Sequence, residues 1–148
     1  MLTTNAEGRI QETYVTALSP SSDDVIASTS SLGGAGTYAN VDEIPLDATN
    51  YNEFASGSQD TYGITSLSFT PATIYGEKIS LYASRDGAVT HVQAVVSSSN
   101  TLVTGSLQSV GASATYIVIE EIFNQDPATS AAWTPSGINS QKIGARFA

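Results

Sequence analysis

The sequence predicts an all-β fold, a sandwich or barrel of short antiparallel strands. Three observations carry this. Twenty-one Ser and seventeen Thr, about a quarter of the 148 residues, stand beside 12 Gly, while long helix formers are scarce, a composition of strands and turns rather than helix bundles. Apolar and polar residues alternate in short runs, the period of a sheet with one buried face. Turn-forming clusters recur about every 8–12 residues, as in sandwiches and barrels.

Residues 1–9 read as an extended start, and residues 10–18, Ile10-Gln11-Glu12-Thr13-Tyr14-Val15-Thr16-Ala17-Leu18, as a lone strand rich in β-formers. Residues 19–37, with Ser19-Pro20-Ser21-Ser22-Asp23-Asp24 and Leu32-Gly33-Gly34-Ala35-Gly36, read as a Ser/Gly connector too poor in apolar residues to pack. The expected organisation is an arm, residues 1–37, and a sandwich domain, residues 38–148. The arm strand either returns to its own sheet or adds to a neighbour; a tethered, exposed strand needs a partner, which favours the neighbour.

In the body, residues 41–47 read as a short edge strand and turn, because Pro45 is unsuited to a central strand. Residues 50–63 read as loops with short strand pieces, leading into the run Ile64-Thr65-Ser66-Leu67-Ser68-Phe69. Lys78-Ile79-Ser80-Leu81-Tyr82-Ala83-Ser84-Arg85, then Asp86-Gly87, then Ala88-Val89-Thr90-His91-Val92-Gln93-Ala94-Val95-Val96 predicts a hairpin with a two-residue type I′ turn. That register sets Tyr82 opposite His91 and Ile79 opposite Ala94, with Ile79, Leu81, Ala83, Val92, Ala94 and Val96 on one apolar face.

Ser97-Ser98-Ser99-Asn100 reads as a turn, residues 101–110 as one or two short strands, and Gly111-Ala112-Ser113 as another turn. Residues 114–123 form a strand with Ile117, Ile119 and Phe123 on one face and Tyr116, Val118 and Ile122 on the other. Both faces are apolar, which predicts a central strand covered on each side. The last strand places Ile143, Ala145 and Phe147 inward and Lys142 and Arg146 outward. The only helical expectation is a turn around residues 136–140.

Composition narrows function. Without Cys there is no disulfide and no thiolate metal site. No apolar run is long enough to span a membrane as a helix, and the N-terminus lacks a signal-peptide pattern. The net charge is −9; residues 1–77 hold ten acids and one base, and residues 78–148 hold four of each. Such a chain is unsuited to nucleic acid, whose recognition uses Lys and Arg in place of counterions.

No cluster points to chemistry. His91 is the only His, read as a surface or cross-strand residue, and catalysis or zinc binding would need partners it lacks. Glu120 and Glu121 point to opposite faces and cannot act as a pair. Asp23-Asp24 and Asp42-Glu43 lack the Asp-x-Asp-x-Asp spacing of a calcium loop. Gly33-Gly34-Ala35-Gly36 lacks the Lys-Ser/Thr of a phosphate loop. Trp133 either stacks on a sugar or locks its loop onto the core, and the second is preferred. Tyr51 and Tyr62 are candidates for a contact surface. No cofactor, metal ligand or catalytic residue is expected.

Several stretches resemble a virion structural protein family of tailed bacteriophages: Gly8-Arg9-Ile10-Gln11-Glu12-Thr13-Tyr14-Val15-Thr16-Ala17-Leu18 ahead of a Ser/Gly linker, Val41-Asp42-Glu43-Ile44-Pro45, Asp60-Thr61-Tyr62-Gly63, and the blocks at residues 126–134 and 139–147. The resemblance implies a jelly-roll-like sandwich, no enzyme activity, and a post on the virion, with capsid decoration (cement) favoured. The implied partner is the major capsid protein, and the implied state an oligomer, a trimer by preference. Ile10, Tyr14, Val15 and Leu18 would be the assembly arm. A tail or neck component and a carbohydrate-binding sandwich using Trp133 are the alternatives.

Overall fold

A computed structural model describes residues 15–25, 38–42, 51–85, 89–110 and 115–148 in full, and the backbone of residues 2–4, 10–12 and 30–32. The fold is all-β and antiparallel, a sandwich of unequal layers. The larger layer contains β3 (Pro20–Val25), β6 (Gln59–Ile64), β12 (Lys142–Phe147), β8 (His91–Ser98), β9 (Thr101–Thr104) and β10 (Gln108–Ser109), in the order β3-β6-β12-β8. β9 and β10 share the outer edge of β8. The smaller layer is a ribbon of β7 (Glu77–Ala83) and β11 (Ile117–Phe123). Two further pairs are β1 (Leu2–Thr4) with β2 (Ile10–Glu12) and β4 (Ser30–Leu32) with β5 (Tyr51–Glu53). One short helix, α1 (Pro135–Ser140), precedes β12.

Alternation decides which side chains are buried. Ile79 of β7, Ala94 and Val96 of β8 and Ile64 of β6 form one core cluster with Trp133 and Ile138. Ala83, Val92, Val110 and Ile119 form a second. The expected inward set of β12 (Ile143, Ala145 and Phe147) packs against these clusters.

The expected 78–96 hairpin is not formed. β7 pairs along its whole length with β11, Ile79 opposite Glu121 and Ala83 opposite Ile117. β8 pairs with β12 on one edge and with β9 and β10 on the other. Thus β7 and β8 meet face to face across the core rather than side by side, burying the same apolar face that the hairpin would have buried. Asp86 and Gly87 lie outside the described residues. His91 stands opposite Ser109, not Tyr82. The type I′ geometry falls at Ser99 and Asn100 instead, with φ of 46° and 65° between the paired Ser98 and Thr101, two central residues of positive φ as such a turn requires.

Other expectations are corrected. β11 is not central: among the described residues its one partner strand is β7, and its outer face is open. The segment read as a connector supplies β3 and β4; Asp24 accepts from Thr61 Oγ1 at 2.8 Å, holding polar β3 on β6. Of the strand expected at residues 10–18, residues 10–12 are strand and residues 15–19 are not. Residues 59–64, within the stretch read as loops with short strand pieces, form the continuous strand β6 beside β12. Tyr38–Asn40 is a 3-10 turn, Val41 and Asp42 are not strand, and residues 43–47 lie outside the described residues.

Candidate functional site

The C-terminal motifs build structure rather than chemistry. Asp126 Oδ1 accepts from the Ala128 amide at 2.9 Å, and Asp126 bridges Ala131 to close a tight loop. Thr134 caps α1 by accepting from the Gly137 amide at 3.0 Å, with Pro135 in the first turn, where its missing N–H costs nothing. Trp133, 3% exposed, donates from Nε1 to the Phe123 carbonyl at 2.9 Å. Its indole is enclosed in the core and pins the loop to the end of β11, so it offers no ring face to a sugar.

Tyr62 belongs to a buried polar chain. Asn40 Nδ2 donates to Asn52 Oδ1 (2.9 Å), Asn52 Nδ2 donates to the Tyr62 hydroxyl (2.7 Å), and that hydroxyl donates to Asp60 Oδ2 (2.8 Å). Burial, then the neighbouring Asp60 charge, push the Tyr62 hydroxyl far above its usual range. A phenol so held does not ionise at physiological pH. It ties β5 and the 38–40 turn to the inner face of β6. Tyr51 is half-buried nearby.

Among the described residues, no group of three His, Cys, Asp or Glu side chains could hold a metal ion. Glu120 faces Lys78 at 2.5 Å on the outer face, and that ion pair holds its carboxyl below the usual range. Glu121 turns the other way, accepting from the Ser106 amide at 3.1 Å. His91 Nδ1 lies 2.8 Å from its neighbour Thr90 Oγ1.

Two surfaces remain. The first is the outer face of the β7–β11 ribbon. Tyr82 and Tyr116 stack there with centroids 4.7 Å apart, and Val118 and Ile122 are 56% and 59% exposed. A cluster of exposed large apolar side chains on a sheet face is a feature of interaction sites. The alternation in residues 116–122 gave this face correctly; the error was to assume a cover for it.

The second is a groove of about 1820 Å³, well beyond the roughly 300–1,000 Å³ of small-ligand pockets. Residues of β6 and β12 form its floor and β7 a wall; residues 15–20, 51–56 and 69–76 also line it. Tyr51 and Tyr62 both border the groove, Tyr62 as a buried side chain beneath it, while Trp133 does not join them. Of the expected arm residues, Leu18 packs on the core and Val15 is 92% exposed. The Ile10 side chain and Tyr14 lie outside the described residues.

Comparison of the chain with protein-family models, with curated proteins and with solved structures finds no match.

Proposed function

We propose that the chain is a structural component of a tailed-phage virion, a capsid decoration protein that binds the outer shell and stabilises it without catalysing a reaction. The observation that carries this reading is the outer face of the β7–β11 ribbon, where half-buried Tyr116 stacks on exposed Tyr82 beside exposed Val118, with exposed Ile122 on the far side of the Lys78–Glu120 ion pair. Aromatic and aliphatic side chains gathered on one face supply the desolvated centre of a protein interface. The sequence resemblance at residues 8–18, 126–134 and 139–147 supplies the setting. A jelly-roll-like sandwich, a trimeric state and the major capsid protein as partner belong to the same proposal. Repetition over a shell makes modest contacts collectively strong.

The arm is the second contact. Leu18 packs on the core, and Ser19 and Thr65 join through two hydrogen bonds, Ser19 N to Thr65 Oγ1 and Thr65 N to Ser19 O. The anchored part of the chain thus includes Leu18 and Ser19, and the truncation that tests the arm removes residues 1–14.

The test is binding to particles stripped of this protein. The full chain should saturate them, Ile122→Asp should weaken binding by about 100-fold or more, as hot-spot losses do, and the 1–14 deletion should release the protein at low concentration. Saturation by Ile122→Asp equal to that of the full chain would remove the ribbon face from the mechanism. A full chain that ignores the shell and binds only isolated tails or necks would overturn the decoration reading.

A further inference from the structure

We propose that the groove beside β7 is an acceptor for a β-strand, and that its occupant is residues 10–17 of a second copy of this chain; the proposal rests on the assembly reading above. All of residues 77–83 line the groove, inward-facing and outward-facing side chains alike. A strand contributes both faces to a groove only when it presents its edge. The opposite edge of β7 is paired with β11 along all seven residues, and among the described residues no strand pairs on the groove side. The wall is thus a row of backbone N–H and C=O groups of the kind that accepts an added strand. The floor beneath it is mostly apolar, with Ile64, Ile143, Ala145 and Phe147. An extended polypeptide meets both demands: its backbone pairs with the edge while alternate side chains descend to the floor. A lipid chain would leave the edge unpaired.

The occupant follows from where the arm starts. Residues 15–20 form part of the groove rim. From Leu18, anchored on the core, back to Val15 the chain is exposed, and Val15 is 92% so. Residues 15–17 thus border the groove without being buried in it. Because the arm root and the groove share one face, a symmetric contact whose axis passes close to both would give each arm a neighbour's groove and fill every groove by repetition. The lengths agree: eight extended residues span about 27 Å and the seven of β7 about 23 Å at roughly 3.3 Å per residue. The sequence of residues 10–17 is rich in β-formers and carries one charge, Glu12. Within the arm β2 pairs with β1 on one side, which leaves its second edge for the acceptor.

The chain has no Cys, so introduced thiols report contacts cleanly. Gln11→Cys, Thr13→Cys and Val15→Cys, each mixed with Ser80→Cys under mild oxidation, scan the register. At least one pair should yield a disulfide between the two different chains, in excess over like-with-like dimers. Sedimentation of the unmodified full chain should show an oligomer, and Val15→Pro, which removes a strand N–H at a side chain that packs on nothing, should raise its dissociation constant at least tenfold. A full chain that is monomeric at high concentration overturns the proposal. So does an oligomer that gives no mixed disulfide in any register, or a chain carrying both cysteines that closes internally as a monomer. Particle binding without cross-linking would leave the decoration reading standing; cross-linking without particle binding would remove that reading and leave this one.

Discussion

Gln141 reaches across the sandwich to Glu77, donating from Nε2 to Oε1 at 2.5 Å. Glu77 opens β7 in the smaller layer; Gln141, 1% exposed, precedes β12 in the larger one. Among the described residues, neither Glu77 Oε2 nor Gln141 Oε1 has a hydrogen-bond partner. Burial pushes the Glu77 carboxyl up to about 7, against the smaller opposing effect of the Gln141 hydrogen bond.

That shift predicts a pH dependence of stability. The folded state holds the Glu77 proton more tightly than the unfolded chain, whose carboxyl titrates near 4.5. The stabilisation is complete below about pH 4.5 and is lost as pH rises through about 7, a change on the order of 3 kcal/mol. Glu77→Gln should flatten this component and be more stable than the natural chain at pH 8. Urea unfolding of both proteins from pH 4 to 8 measures the difference. Parallel curves for the two would show that Glu77 contributes nothing to the slope.

Gly144 makes a second prediction. A Cβ there would run into the backbone carbonyl of Asp60 on the neighbouring strand, and main chain cannot step aside. Gly144→Ala should therefore cost about 3 kcal/mol or more by forcing β12 away from β6. At Gly105 the obstacle is the Glu121 side chain, which can swing away, so Gly105→Ala should cost less. Thermal unfolding of the two variants gives the ranking, and equal losses would contradict it.

The buried faces of this fold were legible because alternation is local. Ile79, Ala83, Val92, Ala94 and Val96 are core residues, as their period implied. Strand partners were not legible. A sheet-forming segment can satisfy one apolar face either beside its neighbour in sequence or opposite it, and the pattern is identical in the two cases. Asp86-Gly87 was the stronger turn signal, yet the observed type I′ turn uses Ser99 and Asn100. Polar β3 was hidden for another reason: its hold on β6 comes from backbone pairing and from Asp24 and Thr61, with no apolar signature. At the candidate site, Tyr116, Val118 and Ile122 were visible as a face, but Tyr82, expected opposite His91, joins them only through the β7–β11 pairing, and exposure depends on what lies opposite, which no local pattern records.

The Ser99-Asn100 turn gives a third prediction. Ser pays a steric cost at positive φ that Asn relieves through local hydrogen bonding. Ser99→Asn should raise stability by about 0.5 kcal/mol, read as a higher urea midpoint with unchanged slope. A lower midpoint would mean that Ser99 makes a contact worth more than the backbone strain.

Trp133 supplies the last. Two contributions act there, the enclosed indole and its hydrogen bond to the Phe123 carbonyl. Trp133→Phe keeps most of the packing and leaves that carbonyl without the indole donor, so it should cost about 1–3 kcal/mol. Trp133→Ala also opens a cavity between Ile64 and Ile138, members of the same core cluster, and should cost about 3–5 kcal/mol. If the hydrogen bond is the main tether of the 126–134 loop, Trp133→Phe should also speed amide exchange in that loop while leaving β8 protected. A Trp133→Phe variant with unchanged loop exchange would assign the tether to packing alone, and a Trp133→Ala variant of natural stability would show that the indole is not part of the core.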